Sequence, residues 1–295
     1  MKKNIIYILL LSIVGFISGC TTTDVAPSTD VSAETLASIT AYGTAKGLTF
    51  TKDANSLFYV VTTKNPTGRT PLANEFVKLY YTYTKLDGTM LDSTGTNQKI
   101  PQAYPYLSYN TLLNYAVAYL KEGESGTVVF PSTSTFSEPT VLNATLISTR
   151  NETEQISEYV SSKFAGQTPT KTVSGLQYFI TKTSASGDTA KTNKNVTVSY
   201  TGKLLFQSRT RDTNGFFIYT EQFDKGSFTF LVGANAVVPG FEEATKLLKV
   251  GDKGTFIFPS SLGYGKDGKF NNTTQLYDIP PYAPLLFEIE VTAVK

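Results

Sequence analysis

Residues 237–251 decide the fold and read Val-Val-Pro-Gly-Phe-Glu-Glu-Ala-Thr-Lys-Leu-Leu-Lys-Val-Gly. Within this stretch, residues 241–248 place apolar side chains at helical spacing. One face of the predicted helix is apolar and comprises Phe241, Ala244, Leu247 and Leu248. Gly251 follows shortly afterwards, and glycine is a usual residue just past a helix end. The stretch therefore predicts one short helix with a single buried face.

The segments around this helix alternate between apolar and polar residues, as half-buried strands do. They are residues 196–200, 254–258 and 285–291. An antiparallel sheet with one short helix packed across it is an α+β arrangement. We therefore predict an α+β fold for this part of the chain.

The same series of segments also occurs earlier in the chain. The matched pairs are residues 77–82 with 196–201, 120–132 with 248–260, 57–60 with 176–179, and the helical pair Ile39 and Tyr42 with Ile156 and Tyr159. Because the matches keep the same order, they indicate a duplication. We predict two tandem domains, residues 31–150 and residues 151–295, and call them the first unit and the second unit.

The N-terminus has the pattern of a secretory signal. A basic Met-Lys-Lys start precedes the apolar residues 5–14, a stretch too short for an ordinary membrane-spanning helix. Residues 17–20 read Ile-Ser-Gly-Cys and resemble the lipobox of bacterial lipoproteins. We predict a signal peptide over 1–19, a lipid anchor on Cys20 and a flexible tether over 20–30. An ordinary signal with a chance cysteine is the alternative.

A lipidated Cys20 would hold the protein to a membrane of the cell envelope. The next residue is Thr21 rather than the aspartate associated with inner-membrane retention in some bacteria, which favours the outer membrane. The sequence leaves open whether the anchored protein faces the periplasm or the cell surface.

The composition excludes several kinds of chemistry. The 295 residues include no histidine and one cysteine, which rules out Ser-His-Asp catalysis, histidine-ligated metals and intramolecular disulfides. Loss of Lys2 and Lys3 with the signal lowers the 26 basic residues to 24, equal to the 24 acidic ones. A neutral chain gives no support to a nucleic-acid partner. We expect no metal and no cofactor.

The second unit resembles the FKBP-type peptidyl-prolyl cis-trans isomerases from about Gly175 to Val294. The segments that carry the resemblance, in the family's order, are residues 198–202, 223–224, 228–230, 237–244, 262–265, 279–281 and 285–287. The resemblance implies a sheet wrapped on one helix, with an aromatic pocket that receives proline.

The resemblance also implies roles for individual residues. Phe241 would form the pocket floor, where the commonest family residue is tryptophan. The residues implied to act in catalysis are Tyr200, Phe223, Asp224 and Tyr264. Those implied to bind substrate are Phe228, Val237, Val238, Phe241, Ile279 and Phe287. In the family the counterpart of Tyr264 binds a substrate carbonyl, and so does the N–H matching Val238. Ordinary core packing is the alternative interpretation of these aromatics, and we expect Phe230 to be core.

The implied activity is chemically consistent with a chain that lacks histidine. Rotation of an X–Pro bond crosses a barrier of ~18–20 kcal/mol because amide resonance must be broken, and no proton has to be transferred. We expect an isomerase that assists the folding of exported, proline-containing polypeptides, with catalysis confined to the second unit. A non-catalytic binding or chaperone lipoprotein is the alternative, and glycan binding through exposed tyrosines is a third interpretation.

Two insertions depart from the family pattern, at residues 205–222 and 266–278. Residues 216–219 read Phe-Phe-Ile-Tyr, and such an apolar run either forms an extra hairpin strand or covers a binding surface. If these residues filled the pocket, the non-catalytic alternative would be favoured.

The first unit departs further from the pattern. Tyr81 and Asp92 match it, but Leu91, Phe136 and Asn143 replace a phenylalanine, the tyrosine and the pocket phenylalanine. We therefore expect a degenerate unit that serves dimerisation, substrate holding or partner contact. Five tyrosines in it are expected to form either an aromatic contact surface or core and loop packing: Tyr104, Tyr106, Tyr109, Tyr115 and Tyr119.

Overall fold

The computed structural model describes residues 31–94, 100–133, 135–211, 214 and 216–295. The predicted signal peptide, the anchor Cys20 and the tether lie outside the described residues. Among the described helices, none combines the length and apolar character needed to cross a membrane.

The first unit is built on one antiparallel sheet of seven strands. Its elements are α1 (Ala33–Lys46), β1 (Thr51–Lys52), β2 (Phe58–Thr63), β3 (Phe76–Lys85), β4 (Met90–Ser93), β5 (Gln102–Pro105), α2 (Leu113–Val117), β6 (Ser125–Phe130) and β7 (Thr140–Arg150). The strand order is β1-β2-β6-β7-β3-β4, and β5 also pairs with β3.

The second unit contains a six-stranded antiparallel sheet and a separate two-stranded hairpin. Its elements are α3 (Glu152–Lys163), β8 (Thr170–Lys171), β9 (Gln177–Lys182), β10 (Asn195–Arg211), β11 (Phe217–Leu231), α4 (Pro239–Lys246), β12 (Lys253–Phe258), a 3-10 turn (Ser260–Leu262), β13 (Lys269–Asn271), β14 (Leu276–Ile279) and β15 (Leu285–Val294). The sheet order β8-β9-β12-β15-β10-β11 repeats the order of the first sheet. The predicted combination of antiparallel sheets with short helices is confirmed.

The strand registers show which residues correspond between the two sheets. Gly202 lies opposite Phe287 in the second sheet, and at the matching position Tyr83 lies opposite Leu142. Leu142 therefore corresponds to Phe287, and the expectation that Asn143 takes that place is wrong. A shift of one residue along a strand moves a side chain to the other face, so Asn143 lies on the outer face instead.

Helix α4 agrees with the prediction in position and differs from it at its end. It spans Pro239–Lys246, and proline at the first helical position is favoured because its missing N–H has no intrahelical partner there. Phe241 and Ala244 are buried as expected, but Leu247 is 38% exposed. The helix ends before Leu247, so this residue leaves the buried face, which corrects the sequence expectation. Gly251 lies in the turn that follows and not at the helix end.

The two helices predicted from the repeat are present as α1 and α3. Ile39 on α1 packs on Val129 and Val141, and Ile156 on α3 packs on Ile257 and Leu286. Each helix therefore covers the outer face of its own sheet.

Both insertions contact the first unit. Residues 205–222 lengthen β10 and β11, which confirms the extra hairpin strand, and Phe206 packs on Phe76 with ring centroids 5.0 Å apart. Residues 266–278 include β13 and most of β14, where Tyr277 stacks on Tyr109 at 5.3 Å. The insertions therefore connect the two units.

Candidate active site

Phe241 is the centre of an aromatic cluster on the inner side of the second sheet. Its side chain is 3% exposed, and its ring centroid lies 5.6 Å from that of Tyr200 and 5.0 Å from that of Phe287, both nearly perpendicular to it. Phe228 lies 5.8 Å away, and Phe223 packs edge-on against Phe287 at 5.6 Å. Edge-to-face contacts of this kind fix ring positions, so the cluster has a rigid apolar floor.

Gly202 makes room for the walls of this cluster. A Cβ atom at this position would lie 2.7 Å from the Phe223 ring and 2.9 Å from the Phe287 ring. Such distances are closer than carbon atoms approach in proteins, so any larger residue would displace both rings. The role of Gly202 is not visible in the sequence, because it depends on rings contributed by β11 and β15.

Tyr200 and Asp224 supply the polar edge of the cluster. The Tyr200 hydroxyl donates a hydrogen bond of 2.8 Å to the Asp224 carboxylate, across the β10–β11 pair. Burial, the hydrogen bond to Asp224 and the charge of Asp224 raise the pKa of Tyr200 to about 12. The hydroxyl therefore stays neutral and can act as a donor at physiological pH.

Tyr264 extends from the loop that follows the 3-10 turn and packs against the same core. Burial and then the charges of Asp224 and Asp278 raise the pKa of Tyr264. Gly268 closes this loop with φ +64°, and a Cβ there would lie 2.5 Å from the Ile279 carbonyl oxygen. Val238 is the N-cap of α4, where backbone N–H groups lack intrahelical partners.

The candidate residues differ in depth. Three of them are buried: Phe241, Ile279 and Phe287. Six are partly exposed: Tyr200, Phe223, Phe228, Val237, Val238 and Tyr264. Asp224 is exposed, and Phe230 is 5% exposed, as expected for core. This is the arrangement of an apolar floor with accessible walls and a polar rim.

Residues 187–292 match the family model of the FKBP-type peptidyl-prolyl cis-trans isomerase. This FKBP-type segment is less than half of the chain, lies wholly in the second unit and contains all ten candidate pocket residues.

Curated proteins match the chain over a similar region. The FKBP-type isomerase FkpA of Aeromonas hydrophila is 32% identical over 139 residues, which are 47% of this chain and 45% of that protein. The FKBP-type 22 kDa isomerase of Escherichia coli is 32% identical over 42% of this chain and 52% of its own length. FK506-binding protein 1B of Neurospora crassa is 29% identical, over 39% of this chain and 96% of its own. The chain thus matches about half the length of the two bacterial proteins.

Solved structures are similar over about half of the chain. The crystal structure of FkpA from Escherichia coli shares 26% identity and covers 49% of this chain and 59% of its own. The TM-score is 0.36.

The first unit holds a counterpart of the polar edge found in the FKBP-type segment. The Tyr81 hydroxyl donates a 2.8 Å hydrogen bond to Asp92, as Tyr200 does to Asp224. Here, however, Tyr83 occupies the position of Gly202, and its ring packs edge-on against Phe136. The space beside Gly202 is taken by the Phe223 and Phe287 rings in the second unit, whereas the first unit has the Tyr83 side chain at this position.

A guanidinium from the second unit covers this counterpart. Arg209, on the inserted part of β10, donates 3.0 Å hydrogen bonds from Nη1 and Nη2 to Asp92 and a 3.3 Å bond to the Tyr81 hydroxyl. Burial lowers the pKa of Arg209, but hydrogen bonding to Asp92 and the charge of Asp92 outweigh it and raise the pKa overall. The Tyr219 hydroxyl donates to the Thr94 carbonyl at 3.4 Å. The 205–222 insertion therefore contacts the first unit and leaves the Phe241 cluster uncovered by these side chains.

The five tyrosines of the first unit are mainly packed within it. Tyr104 and Tyr106 are buried, as the core-packing alternative expects. Tyr115 packs on Phe130, and Tyr119 stacks on Tyr59 with centroids 3.9 Å apart. Tyr109 does make a contact, but with Tyr277 of the same chain.

A groove of about 430 Å³ lies on the outer face of the first sheet, away from the aromatic cluster. Its hydroxyl and amide side chains bond to one another, for example Thr127 to Asn143 at 2.8 Å and Ser125 to Thr145 at 2.8 Å. In the described part of the chain, no group of three or more acidic, histidine or cysteine side chains is arranged to hold a metal ion.

Proposed function

We propose that this chain is a peptidyl-prolyl cis-trans isomerase of the FKBP type and that its second unit carries the activity. One observation carries the proposal: the Phe241-centred cluster, with the Tyr200–Asp224 pair and Tyr264 at its rim, lies within the FKBP-type segment. The activity is part of the names of the curated relatives that match this region.

The geometry suits rotation of an amide without proton transfer. A proline ring seated on Phe241 lies in a water-poor hollow, which disfavours the polar planar amide more than the twisted form that has lost resonance. The Tyr264 hydroxyl and the Val238 N–H are the donors that would hold the flanking carbonyl groups. A thousandfold acceleration needs about 4 kcal/mol of differential stabilisation, which shape, desolvation and two hydrogen bonds together can supply.

We further propose that the first unit, residues 31–150, is a second FKBP-like domain that has lost its pocket. The repeated strand order and the Tyr81–Asp92 bond support common ancestry with residues 151–295. Tyr83 and Arg209 occupy the region where a proline would bind. The roles open to this unit are holding a client chain, contacting a partner and pairing with a second copy of the chain.

The cellular setting is also a proposal and rests on the sequence. Cleavage before Cys20 and lipidation of its thiol would tether the protein to the envelope, with Thr21 favouring the outer membrane. Exported polypeptides with slow X–Pro bonds are the substrates that such a location supplies.

The non-catalytic alternative gains no support from the insertions. It would be favoured by residues 216–219 filling the pocket, but the Phe217 ring stacks on Arg209 at 3.8 Å and Tyr219 bonds to Thr94. Both contacts are on the side of the first unit.

The direct test is an isomerisation assay on the chain from residue 20 onward, using peptides with varied residues before proline. We expect acceleration that falls about tenfold in Tyr200→Phe and in Asp224→Ala, since each loses a hydrogen bond to a charged group. Tyr81→Phe is the matched control, because it breaks the equivalent 2.8 Å bond in the first unit and should leave the rate unchanged. A folded chain that accelerates none of the peptides would overturn the proposal.

A further inference from the structure

The position of Tyr264 depends on the turn that begins at Ser260. The Ser260 carbonyl accepts hydrogen bonds from the N–H groups of Gly263 at 2.8 Å and Gly265 at 2.9 Å. These two donors flank Tyr264 in the chain. The orientation of Ser260 therefore determines the position of the Tyr264 backbone. Ser260 itself is 4% exposed.

Glu152 holds Ser260 from a distant part of the sequence. One carboxylate oxygen accepts the Ser260 N–H at 2.7 Å and the other accepts the Ser260 Oγ–H at 2.7 Å, across 108 residues of chain. Both oxygens of an ionised group are thus used on a single residue, and such charge-assisted bonds are short and about twice as strong as neutral ones. Glu152 is the first residue of α3 and is half-buried.

Helix α3 is itself fixed at this end. Asn151 and Glu154 form a capping box, and the Glu154 carboxylate accepts two hydrogen bonds from Arg69 of the first unit, at 2.7 and 2.8 Å. Arg69 also pairs with Glu75, which accepts a 2.7 Å bond from Thr149. The first turn of α3 is therefore held in place by the first unit. From this turn the Glu152 side chain reaches the Ser260 turn of the second unit.

The first unit closes its corresponding turn locally. There Phe136 stands in place of Tyr264, and its N–H donates to Thr133 Oγ1 at 3.0 Å while its carbonyl accepts from the Thr133 N–H at 2.7 Å. A turn of this kind can thus be closed without a carboxylate from a helix. The long-range bond from Glu152 is found in the unit whose aromatic cluster has partly exposed walls.

We propose that Glu152 is a positioning residue for Tyr264: its two hydrogen bonds to Ser260 hold the tyrosine hydroxyl over the pocket. This role refines the function proposed above, and its effect on the isomerisation rate rests on that function. It also makes the first unit part of the active site's support, through Arg69 and Glu154.

The test uses 3-fluorotyrosine placed at position 264 of the full chain from residue 20 onward, observed by fluorine NMR. We expect one narrow signal in the parent protein, and a shifted or broadened signal in Glu152→Gln. Glu158→Gln is the matched control, since it lies on the same helix, is exposed and pairs with Arg150, away from Ser260. It should leave the signal unchanged. Ser260→Ala removes only the Oγ–H bond and should shift the signal in the same direction by less, which keeps the test decisive if Glu152→Gln fails to fold.

The rate measurement separates positioning from general stability. We expect kcat/KM to fall about tenfold in Glu152→Gln, because small displacements of a group that contacts substrate cost that much or more. In a Tyr264→Phe background the same change should have almost no further effect, since the hydroxyl being positioned is gone. Multiplying effects, or an unchanged fluorine signal, would overturn the proposal. If the parent protein shows no isomerase activity, the proposed function fails, while the fluorine signal still decides whether Glu152 positions Tyr264.

Discussion

Each unit contains an equivalent tyrosine–aspartate pair, but the two pairs have different surroundings. Tyr200–Asp224 and Tyr81–Asp92 each form a 2.8 Å hydrogen bond across neighbouring strands. In the second unit the pair borders an accessible aromatic cluster, whereas in the first it is covered by Arg209. The polar pair is therefore no sufficient sign of a binding pocket in this fold.

The difference arises at two positions that correspond in register and at the inserted hairpin. Tyr83 stands at the position of Gly202, and Phe287 supplies a ring where Leu142 does not. The inserted hairpin also brings Arg209 into contact with Asp92 of the first unit. In this chain the accessible aromatic cluster occurs where the tyrosine-bearing strand has a glycine and the neighbouring strands supply aromatic rings.

The largest effect is expected for the pocket floor. Phe241→Ala should abolish measurable isomerisation and destabilise the chain by about 3–5 kcal/mol, since a buried ring is lost from a packed cluster. Leu113→Ala is the matched control, because Leu113 occupies the corresponding helix of the first unit and is 2% exposed. It should lower the urea midpoint while keeping the rate per folded molecule. Equal loss of rate in both variants would remove the distinction between the units.

The next largest effect is expected from breaking the Arg209–Asp92 pair, and it should appear in the free energy of unfolding. The two side chains are only 10% and 16% exposed, so Asp92→Ala leaves a mostly buried guanidinium without its carboxylate, at a cost of about 3 kcal/mol. Urea unfolding measures the change, and peptide isomerisation should be unaffected below the transition. An unchanged midpoint would mean that the insertion does not hold the units together.

Adding a side chain at position 202 on β10 tests the role of Gly202. In Gly202→Ala the added methyl group meets the Phe223 and Phe287 rings, and overpacking of this kind costs about 1–3 kcal/mol. Because the displaced rings are walls of the aromatic cluster, we expect the peptide to bind less well and its KM to rise. Gly88→Ala serves as a comparison, since a Cβ there meets no atom within 4 Å and any cost is that of its φ of +90°. A normal KM in Gly202→Ala would contradict the importance assigned to this glycine.

The smallest effect is expected from pH. Burial and then the hydrogen bond to Asp224 raise the pKa of Tyr200 from 10.0 to about 12, and burial raises that of Tyr264. A tyrosine with a raised folded pKa stabilises the protein fully below pH 10 and loses that contribution between pH 10 and about pH 12. The rate should therefore be constant from about pH 7 to about pH 9, and stability should decline only above pH 10. Tyr200→Phe should make that alkaline decline shallower, whereas a bell-shaped rate profile near neutrality would indicate proton transfer.

Much of the fold follows from the repeat in the sequence. Segments that recur in the same order predict equal strand orders, and both sheets have them. The ends of elements are less predictable, because α4 stops at Lys246 and the following loop turns Leu247 outward. The one-residue error at Asn143 has the same origin, since side chains alternate between faces and only the register shows which face a position takes.

The sequence predicted the candidate site only where its segments match the family pattern. The ten residues from the resemblance lie around one cluster, but Gly202 and Glu152 act through partners far away in the chain. The surface against which the inserted hairpin packs could not be predicted either, because a run of apolar residues indicates burial but does not indicate the partner surface. The role of Arg209 likewise depends on its contact with Asp92, which only the structure shows.

The most direct test of the account is to map where a proline peptide binds and turns over on the nitrogen-15-labelled chain from residue 20 onward. We predict that the amide signals of Gly202, Val238 and Tyr264 shift on titration, that those of Tyr83 and Leu113 do not, and that cis–trans exchange of the peptide is accelerated. Shifts confined to the first unit, or accelerated exchange that persists in Phe241→Ala, would contradict the claim that catalysis belongs to the second unit's pocket.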